Sequence, residues 1–91
     1  MKEIAIKYHD SDYTIRYECK KQFIRHRSII NTIDYTVFFG DESLKKQFGD
    51  PFEIFTGTYP KFSIIPQGNP SAAAIHMATA IINAMPKADR L

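Results

Sequence analysis

Residues 68–85 read GNPSAAAIHMATAIINAM, and the reading of this stretch decides the architecture. It is the larger part of a run, 62–86, of 25 residues without Asp, Glu, Lys or Arg, in a chain where those types make up 24%. Asn69 offers an N-cap oxygen, and Pro70 suits the first helical position, where its missing N–H leaves nothing unsatisfied. A helix over 71–85 is therefore predicted. At 100° per residue, His76, Thr79 and Asn83 form a narrow polar stripe that Lys87 and Arg90 would continue. Opposite lie Ile75, Ile81, Ile82 and Met85, with a flatter face of Ala73, Met77, Ala80 and Ala84 beside them.

A helix this apolar needs cover on more than one side. The large face is expected to press on a sheet. The small face admits close approach by another element or by a second copy of the chain, so Ala73, Met77, Ala80 and Ala84 are the candidate interface. A membrane span is excluded by length. Pro66 and Pro70 interrupt the run, and fifteen helical residues reach roughly 22 Å against a hydrocarbon core of ~30 Å.

Upstream, the period is that of strands. Over 3–9, Ile4, Ile6 and Tyr8 alternate with Glu3, Ala5 and Lys7. His9-Asp10-Ser11-Asp12 is turn chemistry. Over 13–20, Tyr13, Ile15, Tyr17 and Cys19 face in against Thr14, Arg16, Glu18 and Lys20. An antiparallel hairpin follows. Residues 21–31 fit neither period and read as a longer second strand, a helical turn or an irregular connection. Alternation resumes over 32–39, ended by Gly40. Asp41 then caps a short helix, ESLKKQF, with Gly49 at its left-handed end and Pro51 preventing continuation. Short strands are expected at 52–56 and 61–65, the latter bounded by Pro60 and Pro66 and so edge-like.

The order β-β-β-α-β-β-α predicts an α+β two-layer domain, a mainly antiparallel sheet with the C-terminal helix packed on one face. With no linker or repeat, 1–91 reads as a single domain. All twelve aromatic residues lie between Tyr8 and Phe62, so the sheet supplies the bulk and the last helix the small filler.

Composition narrows the function without naming it. A chain 44% hydrophobic is too apolar to be disordered. The single Cys19 rules out an internal disulfide and fits a reducing compartment. No apolar stretch follows the first basic residue, so no signal peptide is expected and a cytoplasmic location is. Net charge is only +2 but uneven: seven Lys/Arg against four Asp/Glu in 1–30, two against five in 31–60.

The basic cluster Lys20, Lys21, Arg25, His26 and Arg27 holds no acid and is interleaved with Phe23 and Ile24. Cations for phosphate and an aromatic for base stacking are the ingredients of nucleic-acid binding. The same residues also suit a solvated strand surface, and no known nucleic-acid motif surrounds them. His9, Asp10 and Asp12 could touch a divalent metal, although the spacing matches neither a calcium loop nor a zinc site. His76 has no carboxylate three or four residues away to orient it as a base. Cys19 reads as a small buried hydrophobe. Nucleophile elbows, phosphate loops and dinucleotide fingerprints are absent, the four glycines being spaced too widely. No cofactor, metal or catalytic residue is called for.

The first expectation is thus a non-catalytic interaction or assembly module, self-associating through the Ala/Met helix face or a free sheet edge, with a homo-oligomer or protein partner. The alternative is a nucleic-acid-binding domain using Lys20, Lys21, Phe23, Arg25 and Arg27. An enzyme or enzyme subunit ranks third.

Overall fold

The computed structural model describes residues 1–25, 29–58, 61–68 and 71–91, and for 22–25 and 29–31 the backbone alone. The elements run β1 (Lys2–Tyr8), β2 (Ser11–Arg25), β3 (Ile29–Phe39), α1 (Glu42–Phe48), β4 (Phe52–Gly57), β5 (Ser63–Pro66) and α2 (Ala72–Ala84). A single 3₁₀ turn, Lys87–Asp89, follows. The five strands form one antiparallel meander in the order β1-β2-β3-β4-β5. This is the predicted α+β arrangement, with α1 inserted between β3 and β4 and α2 laid across one face against β1 and β5.

Strand alternation places Ile6 and Tyr8, Ile15 and Tyr17, Ile33, Tyr35, Val37 and Phe39, and Phe52 and Ile54 on the covered face, all buried. From α2 come Ala74, Met77, Ala78, Ile81 and Ile82, with Met85 at the helix end. Each buried Ile or Met side chain contributes about 1.5–3 kcal/mol relative to exposure. Leu44 anchors α1, whose Phe48 meets Phe39 and Phe52 at ring centroids of 5.9 and 5.6 Å.

Several boundaries differ from the sequence reading. The first turn is two residues, His9 and Asp10, both at positive φ (50° and 62°), so Ser11 already pairs with Tyr8 and Asp12 with Lys7. Two left-handed residues match the right-handed twist of a tight hairpin, and Asp tolerates that conformation better than most. The last strand starts at Ser63 rather than at 61, and it is the sheet's edge. The N-cap of α2 is Ser71, whose Oγ accepts from the Ala74 N–H at 3.1 Å. The expected cap, Asn69, and Pro70 lie outside the described residues.

The face assignment of α2 also needs correction. Ile75, expected against the sheet, is 46% exposed. Met77, placed on the small face, is 0% exposed. Ile81, Ile82 and Met85 are buried as expected, and they are joined by Ala74, Met77 and Ala78 rather than by Ile75.

Candidate binding surface: the β2–β3 ribbon

Within the undecided segment 21–31, the described residues continue the strands, β2 to Arg25 and β3 from Ile29. β2 pairs with β3 from Ile15 opposite Phe39 out to Arg25 opposite Ile29. Its neighbours stop earlier: β1 ends with Lys2 opposite Tyr17, and β4 with Gly57 opposite Thr32. Among the described residues, the rungs Phe23–Asn31, Ile24–Ile30 and Arg25–Ile29 therefore have no third strand. The two strands project as a ribbon, and the molecule measures 44 × 25 × 21 Å.

Of the basic cluster, Lys20, Lys21 and Arg25 lie on this ribbon. Between Cys19 and Ile33 the sequence holds four Lys/Arg, namely Lys20, Lys21, Arg25 and Arg27, and no Asp or Glu. Lys20, Lys21, Phe23 and Arg25 all lie on β2; Arg27 and His26 lie outside the described residues. Lys20 and Lys21 are exposed. Lys21 is also engaged, since its Nζ donates to the Ala88 carbonyl at 2.5 Å. Lys20 stands opposite Asp34 in the ladder.

The acids gather at the ribbon's base. On the uncovered face of the sheet, Glu18, Lys20, Asp34, Thr36, Glu53 and Phe55 line an open depression of about 600 Å³. In the register, Glu18 is opposite Thr36 and Thr36 opposite Glu53, while Asp34 is opposite Phe55. The surface thus divides into an acidic floor and a cationic arm.

Of the other candidate residues, Ala73 and Ala80 are half-buried and Ala84 is exposed. Met77 is wholly covered within the chain and cannot contact a second one. That leaves the proposed helix face without its largest member. Cys19 is half-buried against the core.

His9 and His76, unrelated in sequence, stack at a centroid distance of 5.8 Å and 23°. Tyr8 lies 5.4 Å from the His76 ring. Among the described residues, no three His, Cys, Asp or Glu side chains come together to hold a metal.

One polar constellation escaped the sequence reading entirely. Asp89, 3% exposed, docks beneath the sheet, where its carboxylate accepts from Lys2 Nζ at 2.5 Å and Tyr17 OH at 2.6 Å. Tyr35 OH donates to the Asp89 carbonyl. The Lys2 hydrogen bond, then that of Tyr17, hold the Asp89 carboxyl below the usual range. Burial raises the Tyr17 phenol strongly, with the Asp89 hydrogen bond adding to it, and burial pushes Tyr35 up to about 12. Fully partnered in this way, the cluster is a structural latch for the C-terminal segment. Its only trace in the sequence is that Asp89 is the single acid after Glu53.

No known protein family, no curated protein and no solved structure matches this chain significantly. No described helix is long and apolar enough to cross a membrane.

Proposed function

We propose that this chain is a non-catalytic nucleic-acid-binding module whose contact element is the β2–β3 ribbon. One observation carries the reading. The acid-free stretch places Lys20, Lys21, Phe23 and Arg25 on β2, with Lys20 and Lys21 past the end of β1 and Phe23 and Arg25 past the ends of both neighbouring strands. Cations on a projecting element can neutralise phosphates and release condensed counterions. The small net charge is no obstacle. From the Lys20–Asp34 rung to the Arg25–Ile29 rung the chain covers five residues, roughly 16 Å. A Debye length is about 10 Å at 0.1 M salt, so the basal acids barely act at the tip.

Self-association through the Ala/Met helix face, the first expectation from sequence, would rest on Ala73, Ala80 and Ala84, since Met77 is buried within the chain. Pairing two copies ribbon to ribbon is disfavoured, because it would bring two acid-free cationic arms together. A protein partner keeps one specific observation. On and beside the edge strand β5, Ile65 is 45% and Phe62 50% exposed, an apolar edge of the kind that recruits another chain. Light scattering on the wild type and on Ile65→Lys tests that second reading. A strict monomer at high concentration removes self-association by this edge.

The main test is fluorescence anisotropy with a mixed-sequence oligonucleotide at 50 and 200 mM salt. Four neutralised phosphates predict a loss of roughly a hundredfold in affinity over that range on a duplex. The double variant Lys20→Glu, Arg25→Glu should abolish binding at both. Lys21 is left intact because its contact with Ala88 would confound the result. Undetectable or salt-independent binding by the wild type rejects the reading.

A further inference from the structure

We infer that the nucleic acid meets this chain on the side of the C-terminal turn, where Lys21, Lys87 and Arg90 form a second phosphate-binding patch; this rests on the binding reading above and fixes its face. Alternation along β2 sends Tyr17, Cys19 and Lys21 to the covered side of the sheet, and Glu18 and Lys20 to the other. Lys2–Tyr17 is the last rung that β1 makes. Past it, the turn Lys87–Asp89 takes the strand's place as cover. The Tyr17 and Tyr35 hydroxyls donate to Asp89, and Lys21 Nζ donates to the Ala88 carbonyl at 2.5 Å. These bonds seat the turn beside Lys21, with Lys87 and Arg90 flanking the two residues held.

The charges on this side are free to act. Among the described residues, which include all ten Asp and Glu, no carboxylate lies within ion-pair distance of Lys21, Lys87 or Arg90. The one acid nearby, Asp89, is buried and bonded to Lys2 and Tyr17. Lys21 bonds to a neutral carbonyl, which positions its ammonium without cancelling the charge. Lys87 is exposed and Arg90 half-buried. Burial raises the Tyr35 phenol and the Arg90 charge opposes that rise, which sets the guanidinium near the same cluster. The other side of the sheet presents Glu18, Asp34 and Glu53. A phosphate chain is attracted to the first side and repelled by the second.

Salt dependence counts the contacts. Adding Lys87 and Arg90 to the four cations of the acid-free stretch raises the predicted loss of affinity for a mixed-sequence DNA duplex. Between 50 and 200 mM salt it goes from roughly a hundredfold to roughly a thousandfold. Lys87→Gln with Arg90→Gln should return it to roughly a hundredfold. Lys87→Gln alone changes only an exposed side chain and should reduce the loss by roughly threefold, which keeps the test open if the double variant unfolds. Lys7→Gln with Lys46→Gln removes the same charge from exposed surface elsewhere and should leave the loss as in the wild type. Glu18→Gln with Glu53→Gln should change affinity at 200 mM less than threefold. A wild-type loss of only a hundredfold, equal losses in the Lys87 and Lys7 double variants, or a tenfold gain on neutralising Glu18 and Glu53 overturns the inference and leaves nucleic-acid binding standing. Undetectable or salt-independent binding by the wild type overturns both.

Discussion

Tyr17 and Asp89 lie 72 residues apart in the chain, yet the tyrosine hydroxyl donates to Asp89 Oδ2 at 2.6 Å in the buried interior. The bond ties the C-terminal turn to the second strand of the sheet. Lys2 completes the carboxylate's shell from the first strand but is itself 58% exposed, so water screens its share. The buried hydroxyl is the side that matters.

Asp89→Ala leaves that hydroxyl unsatisfied and should cost about 2–3 kcal/mol. For a domain of this size the melting temperature should fall by roughly 10–20 °C. Tyr17→Phe removes the donor and leaves Asp89 with Lys2, and should cost about 1 kcal/mol. Denaturant titration of both variants gives the order. Equal costs would show that the latch is not organised around the hydroxyl.

The same cluster sets a pH dependence at both ends of the scale. Asp89 titrates below its ordinary 3.8 in the folded chain, so its contribution is present above that value and is lost as the pH falls through it. Tyr17 and Tyr35 titrate above their ordinary 10.0. Their contribution is present below that value and is lost as the pH rises past it. Stability measured by urea titration should decline below about pH 4 and above about pH 10. Asp89→Asn should flatten the acid limb and leave a slope on the alkaline one.

The faces of α2 are testable by a pair of substitutions six residues apart. Ile81 is 0% exposed and Ile75 46%. Ile81→Ala should cost about 2–5 kcal/mol through the cavity it opens. Ile75→Asn should stay within about 0.5 kcal/mol, as exposed positions do, less a few tenths for helix propensity. The reverse order in thermal melts would return Ile75 to the core.

Helix starts give a smaller and separate signal. Asp41 accepts from the Leu44 N–H and Ser71 from the Ala74 N–H, each at 3.1 Å. Asp41→Ala and Ser71→Ala should each cost about 1 kcal/mol, and the double variant about twice that, because the two caps share no partner. Chemical denaturation of the three variants measures it. Full stability in Ser71→Ala would move the start of α2 elsewhere.

Much of the architecture was legible because it depends on local periodicity. Strict alternation of Ile4, Ile6 and Tyr8, and then of Ile15 and Tyr17, can satisfy only a half-covered strand. Asp41 before a helical pattern and Gly49 after it mark α1 from both ends, and both do so in the structure. Segment 21–31 was illegible because its pattern is set by neither face of a packed sheet: beyond Thr32 no third strand imposes a period. Side-chain size placed Ile81, Ile82 and Met85 correctly on α2 and misplaced only Ile75, which is exposed while Ala74 and Ala78 are buried.

By itself, then, the sequence determined the element types and their order, together with the location of the basic cluster, since these follow from short-range spacing and residue chemistry. Only the tertiary structure decided that Lys20, Lys21 and Arg25 ride on a strand pair running past β1 and β4, that Met77 is sealed within the chain, and that Asp89 returns to Tyr17 and Lys2. Those are relations between residues brought together by strand register and helix docking. No pattern within a window of sequence encodes them, because the free energy that fixes them is gained only when distant segments meet.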